Sequence, residues 1–144
     1  MGAGSSLIFS CVGAAYGTAK STQASILKPS ENKPPTVTGK SYFPIVIAGV
    51  LAIYGLIYAI IVVSSVSDPS YTLSRGYAQF VGGLVVGLCC LGSGIAVGIV
   101  GKQGLQGMAN NTSSCTMMVL NLIYCEALGL YGLIFGLIAS STFQ

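Results

Sequence analysis

The sequence predicts an all-α integral membrane protein of four transmembrane helices, built as two duplicated hairpins. Three observations lead there. First, 53% of the 144 residues are hydrophobic, only 6% are charged, and the mean hydropathy is +0.81; an ordinary soluble domain carries about 25% charged residues. Second, four apolar stretches each approach the ~20 residues that cross a hydrocarbon core. Third, "YGLI" occurs at Tyr54–Ile57 and again, 77 residues on, at Tyr131–Ile134. Such a chain leaves no room for a water-soluble catalytic domain, so no independent enzyme activity is expected, and nothing in it suggests nucleic-acid binding.

The first stretch, roughly Gly2–Ser25, lacks the basic leader of a signal peptide and has its lysine, Lys20, at the far end. It reads as a retained span. The second is Pro44–Val66. Between them, "SILKPSENKPPTVTGKSYF" (Ser25–Phe43) holds three prolines and predicts an irregular loop. The third stretch is Gly76–Gly101 and the fourth Cys115–Ser141. Lys20, Lys28, Lys33 and Lys40 border or occupy the first loop, Lys102 borders the third, and Arg75 in the second is offset by Asp68. By the positive-inside rule the first and third loops are cytosolic. The sequons at Asn110 and Asn111 then face the cytosol and stay unmodified.

At the 77-residue offset "LAIYGLIYAII" (Leu51–Ile61) matches "LGLYGLIFGLI" (Leu128–Ile138), so helices two and four are duplicates. Helices one and three correspond through small residues: Gly2, Ser6, Gly13 and Gly17 have the same spacing as Gly83, Gly87, Gly94 and Gly98. Residues 1–66 form the first hairpin and 67–144 the second. At ~100° per residue each set falls within a sector of about 60°. Such a stripe lets backbones approach closely in lipid. It suits packing inside one bundle. Running the height of both helices, it also suits a ring of side-by-side copies with helices one and three crowded inside.

The five cysteines (Cys11, Cys89, Cys90, Cys115, Cys125) lie in or beside helices, without His or a CxxC pair. They read as small apolar packers, and neither a metal nor another cofactor is expected. "GKQGLQG" (Gly101–Gly107) lacks the ending and the preceding strand of a phosphate loop.

Glu126 is the anomaly. No charge lies within ten residues of it on either side, and its partner in the first repeat is Gly49. The scaffold therefore folds without an acid at that position. Glu126 lies near the middle of its span, where an ionised acid costs at least about 2.5 kcal/mol. Burial without a cation favours the neutral acid, and a partner's arginine or water would ionise it. Such a group takes up and releases a proton. On the helical wheel it borders a packing stripe of Gly129, Gly132, Gly136 and Ser140. Ile123, Leu130, Leu133 and Leu137 lie mostly on the other side, as a lipid-facing flank.

"GAAYGTAKS" (Gly13–Ser21), "AIYGLI" (Ala52–Ile57), "GIAVGIVG" (Gly94–Gly101) and "EALGLYGLI" (Glu126–Ile134) together resemble the c-type proteolipids of eukaryotic vacuolar-type rotary proton ATPases. The resemblance spans all four helices. It implies a rotor ring made of copies of this chain and paralogous proteolipids. Glu126 would carry the proton past a stationary subunit that supplies an arginine, and central-stalk subunits would dock on the cytosolic side. The membrane implied is vacuolar, lysosomal, endosomal or of a related acidic organelle. Gly49 stands where the sister proteolipid c″ has its acid, so the chain resembles the c or c′ type. Relative to the family the chain looks short before helix one and irregular in its first loop. The resemblance further implies that Tyr54 hydrogen-bonds the acid, although Tyr131 repeats it and packing would also explain it. Positions matching the ligands of sodium-carrying relatives are Val50, Leu51 and Val97, which offer a hard cation nothing. The small residues Gly13, Gly17, Gly83, Gly87, Gly94 and Gly98 would pack the ring. A structural or channel-forming tetraspan protein is the alternative.

Overall fold

The structure, a computed structural model, describes residues 1–26, 42–67, 72–110 and 114–142. Among these it contains four helices and no strand: α1 (Gly2–Ile26), α2 (Phe43–Val66), α3 (Leu73–Asn110) and α4 (Ser114–Ser141). The Pro-rich first loop with Lys28, Lys33 and Lys40, Asp68 in the second, and Asn111 lie outside the described residues.

α2 opens with Pro44 in its first turn, where a missing N–H costs no helical hydrogen bond. α2, α3 and α4 are long and apolar enough to cross a membrane. α1 has the length, 25 residues, but its serines lower its hydropathy. Three of those serines are accommodated locally: Ser5, Ser6 and Ser10 donate to the carbonyls of Gly2, Ala3 and Leu7. Ser6, Ser10 and Ser21 are fully buried, and the Ser21 hydroxyl has no hydrogen-bond partner among the described residues.

The glycine stripes of α1 and α3 meet each other. A Cβ on Gly94 would collide with the backbone of Gly13, and one on Gly83 with that of Gly2. A Cβ on Gly13 would lie 2.7 Å from the Cys90 carbonyl oxygen, and one on Gly17 2.9 Å from that of Gly94. One on Gly98 would lie 3.2 Å from the Gly17 Cα, and one on Gly87 3.0 Å from the Phe9 Cβ. Gly2 thus pairs with Gly83, Gly13 with Gly94 and Gly17 with Gly98. That is the correspondence of the two repeats, so α1 and α3 run parallel and in register. All six small residues singled out from the sequence lie in this contact within one chain.

α2 packs on α1, with Gly55 against Ser10, and α4 packs on α3 through Gly132 against Cys89 and Gly136 against Val86. α1 and α3 form one layer and α2 and α4 the other. Two apolar clusters fill the interior. One holds Ile47, Ala48, Val97, Leu105, Met118 and Leu122. The other holds Tyr58, Val62, Val86, Cys90 and Leu133. The outward faces of α2 and α4 carry exposed large apolar residues, among them Ile53, Ile60, Leu128 and Phe135.

One boundary differs from the sequence-based expectation. α3 does not stop at Gly101 but continues to Asn110, giving 38 residues. At 1.5 Å per residue this is about 57 Å, well beyond a hydrocarbon core of about 30 Å. The apolar run ends at Gly101, yet the helix goes on because Leu105 is still buried against Met118, while Gln103 and Gln106 face outward. "GKQGLQG" is therefore helical.

Candidate functional site

Glu126 lies close to the centre of α4 and is half-buried. The Tyr54 hydroxyl on α2 donates to Glu126 Oε1 at 3.1 Å. Tyr54 is itself half-buried and packs against the cluster containing Tyr58 and Leu133.

Two contacts beside the acid bring α2 and α3 to α4. Leu51, fully buried, fills the space at Gly129, where a Cβ would lie only 2.7 Å from its Cδ2. On the other side the Ser93 hydroxyl of α3 donates to the Cys125 carbonyl, one residue before the acid. A hydroxyl in the middle of a glycine-rich helix is a detectable signal for such an interhelical bond, but hydropathy, charge and repeat spacing do not single out Ser93. They do not single out Tyr58 either. That residue is fully buried one turn beyond Tyr54, and its hydroxyl donates to the Gln79 carbonyl at 2.9 Å.

The flank of Glu126 differs from expectation. Ile123 and Leu130 are exposed, at 50% and 38%, but Leu133 is buried and Leu137 half-buried. Leu133 packs with Tyr58, Val62 and Val86, and Leu137 joins the same cluster. α4 is rotated so that part of the supposed lipid face turns towards α2. The acid stands at the edge of the packed face, with open surface beginning at Leu130.

The repeat-related positions diverge. Tyr131, the duplicate of Tyr54, is 63% exposed. At Gly49, the duplicate of Glu126, an added Cβ would meet nothing within 4 Å. The described cations, Lys20, Arg75 and Lys102, lie towards helix ends, and none forms an ion pair with Glu126 among the described residues. Leu51 and Val97 are fully buried apolar side chains and Val50 is half-buried. Among the described residues no group of three His, Cys, Asp or Glu is placed to hold a metal ion. The arrangement sets one carboxyl between a hydroxyl donor on one side and an apolar opening on the other.

Comparison with known proteins places the whole chain in one family. The family model of the ATP synthase C subunit matches residues 1–62 and 80–139, one match for each hairpin. The chain is 47% identical over 141 residues to the 16 kDa proteolipid, c type, of the V-type proton ATPase of Rattus norvegicus, covering 98% of this chain and 89% of the relative. It is 44% identical over 142 residues to the V-type proton ATPase proteolipid of Dictyostelium discoideum (98% and 71%). To the corresponding 16 kDa proteolipid of Ascaris suum it is 44% identical over 144 residues (99% and 88%).

Proposed function

The chain belongs to the ATP synthase C-subunit family, and from that membership we propose that it is the proton-carrying ring subunit of a V-type proton ATPase, with Glu126 as the carrier. The observation that carries this reading is a half-buried carboxyl at the centre of a membrane helix. It is bonded to Tyr54 and open on one side to the apolar surface that begins at Leu130.

The cycle follows from the cost of charge in lipid. While Glu126 faces hydrocarbon it is protonated, because an ionised acid at that depth is unfavourable by at least about 2.5 kcal/mol. Tyr54 holds Oε1, and the remaining oxygen carries the proton. When the ring brings this site to a stationary partner that supplies an arginine and a water path, the cation stabilises the carboxylate and the proton leaves. Reprotonation from a second water path lets the site re-enter lipid. Each passage moves one proton per acid, and rotation and transport are coupled because the charged form cannot cross the lipid arc.

Several finer features belong to the same proposal. The two hairpins, residues 1–66 and 67–144, are duplicated units, and only the second carries an acid. Copies stand side by side in the ring, mixed with paralogous proteolipids. α1 and α3 lie on the inside, and their six small residues keep that wall thin. Central-stalk subunits dock at the cytosolic end, formed by the first and third loops. The membrane is that of an acidic organelle. The chain has no catalytic activity alone; ATP is hydrolysed elsewhere in the complex. The transported ion is the proton, since Val50, Leu51 and Val97 leave a sodium ion too few oxygen ligands. The family membership supports this reading over a channel-forming tetraspan protein.

The test is ATP-driven acidification of vesicles carrying Glu126→Gln. Transport should be abolished while the ring still assembles. Glu126→Asp should retain a reduced rate, because the carboxyl withdraws by one methylene. Acidification by the Gln variant at the normal rate would exclude Glu126 as the carrier.

A further inference from the structure

We propose that a cleft between the C-terminal ends of α2 and α4 and the first turn of α3 binds the headgroup of an anionic phospholipid that carries hydrogen-bond donors. The cleft has a volume of about 330 Å³ and is walled by Ile61 and Val62 of α2 and Leu137 and Ile138 of α4. Arg75 reaches into it from α3. Its Nε is buried and has no hydrogen-bond partner among the described residues. A buried guanidinium N–H requires an acceptor, and a phosphate oxygen is the strongest one a membrane offers.

The serines define the rest of the ligand. Ser140 and Ser141 line the cleft, and their hydroxyl protons are already donated to the carbonyls of Leu137 and Ile138 at 2.8 and 2.9 Å. What they present to the cleft is lone pairs. Ser65 likewise donates to the Val62 carbonyl, and it accepts from Gln79 Nε2 at 2.6 Å. The site therefore has one cation for a phosphate and acceptors for neighbouring donors, which fits the hydroxyls of an inositol or glycerol headgroup and not a choline. The acyl chains would lie against Ile61 and Ile138, which are exposed.

The depth agrees. Leu137 to Ser141 lie 11 to 15 residues beyond Glu126, which at 1.5 Å per residue is about 16–22 Å. The hydrocarbon half-thickness is about 15 Å, so the cleft lies just outside it, at the level of the lipid phosphates. Of these features only the depth presupposes that Glu126 is at the midplane. The cleft opens between α2 and α4, the layer that faces lipid in a ring with α1 and α3 inside.

The experiment reconstitutes the full chain in bilayers of phosphatidylcholine with added phosphatidylinositol and counts co-purifying lipid by native mass spectrometry. Phosphatidylinositol should be retained in preference to phosphatidylcholine. Arg75→Ala should lower that preference about tenfold, the effect of one charge-assisted hydrogen bond. Ile138→Trp, which fills the cleft and leaves Arg75 in place, should lower it too. Lys102→Ala, on the far part of α3, should leave it unchanged. Equal retention in the wild type, Arg75→Ala and Ile138→Trp would overturn the proposal. So would an equal loss in Lys102→Ala, which would reveal non-specific attraction, or displacement of the lipid by millimolar inorganic phosphate, which would reveal a site for the free anion. Lipid retention is read independently of proton transport, so failure here leaves the role of Glu126 untouched.

Discussion

The smallest unit of the proposed site is the hydrogen bond between Tyr54 and Glu126. Tyr54 and Tyr131 sit in the same local sequence, YGLI, yet one bonds the acid and the other is exposed. Tyr54→Phe removes the donor and little volume. It should preserve ring assembly, slow proton transport, and speed modification of Glu126 by a hydrophobic carbodiimide, because Oε1 is no longer engaged. Tyr131→Phe should change none of these. The pair of labelling rates checks the assignment, and equal rates in the two variants would mean that the bond to Tyr54 does not govern the acid. Ion choice is decided at the same scale. Excess sodium at constant ionic strength and fixed pH should leave carbodiimide labelling of wild-type Glu126 unchanged. Protection would mean that Tyr54 and backbone carbonyls beside Gly49 supply ligands after all.

Helices are positioned here by what glycines admit. The α1–α3 contact depends on the absence of Cβ atoms at Gly13 and Gly94, each of which faces the other's helix at backbone distance. Gly13→Ala or Gly94→Ala must push two backbones apart, and overpacking of this kind costs about 1–3 kcal/mol. Larger residues such as Gly94→Leu should abolish ring recovery on native gels. Gly49→Ala and Gly92→Ala are the contrasting cases, since an added Cβ meets nothing within 4 Å at either position. Both should assemble at wild-type yield. If Gly49→Ala and Gly94→Ala behave alike, the stripe is not what holds α1 to α3. The α2–α4 contact uses the same device with a side chain in place of backbone: Leu51 enters the space at Gly129 and thereby carries Tyr54 to the acid one turn away.

At the scale of the molecule, two parallel helices form one layer and two more carry the site in a second layer. The length of α3 makes this layout testable. Its 38 residues cannot all lie in hydrocarbon, and the continuation past Gly101 exposes Gln103 and Gln106. In a background without native cysteines, a cysteine replacing Gln106 should react with a membrane-impermeant maleimide in open membranes. One replacing Ile123, three residues from Glu126 on α4, should not. Equal labelling of both would place the bilayer differently along the helices. The two hairpins also show that duplication preserves packing more strictly than chemistry. Gly2, Gly13 and Gly17 of α1 still meet Gly83, Gly94 and Gly98 of α3, although Gly87 meets Ser5 and Phe9, while Glu126 has only open space as its counterpart at Gly49.

The sequence alone determined the four helices, the midspan acid, the duplication and the equal spacing of the α1 and α3 stripes. Each of these follows from properties a residue carries with it: hydropathy, charge, or the lack of a Cβ repeated at a helical spacing. The helical continuation from Lys102 to Asn110 was not legible, because its apolar contact, Leu105 with Met118, is made with another helix. Nor was the rotation of α4. Leu133 and Leu137 look like part of a lipid face on a helical wheel, but the fit of Leu51 at Gly129 and the bond from Ser93 to the Cys125 carbonyl turn them inward. The family resemblance names Tyr54 as the tyrosine that bonds the carboxyl, and the 3.1 Å bond lies there; the periodicity of the two YGLI segments alone does not distinguish them. Rotation about a helix axis is a property of the surfaces that meet across an interface, and a single helix's periodicity does not contain it.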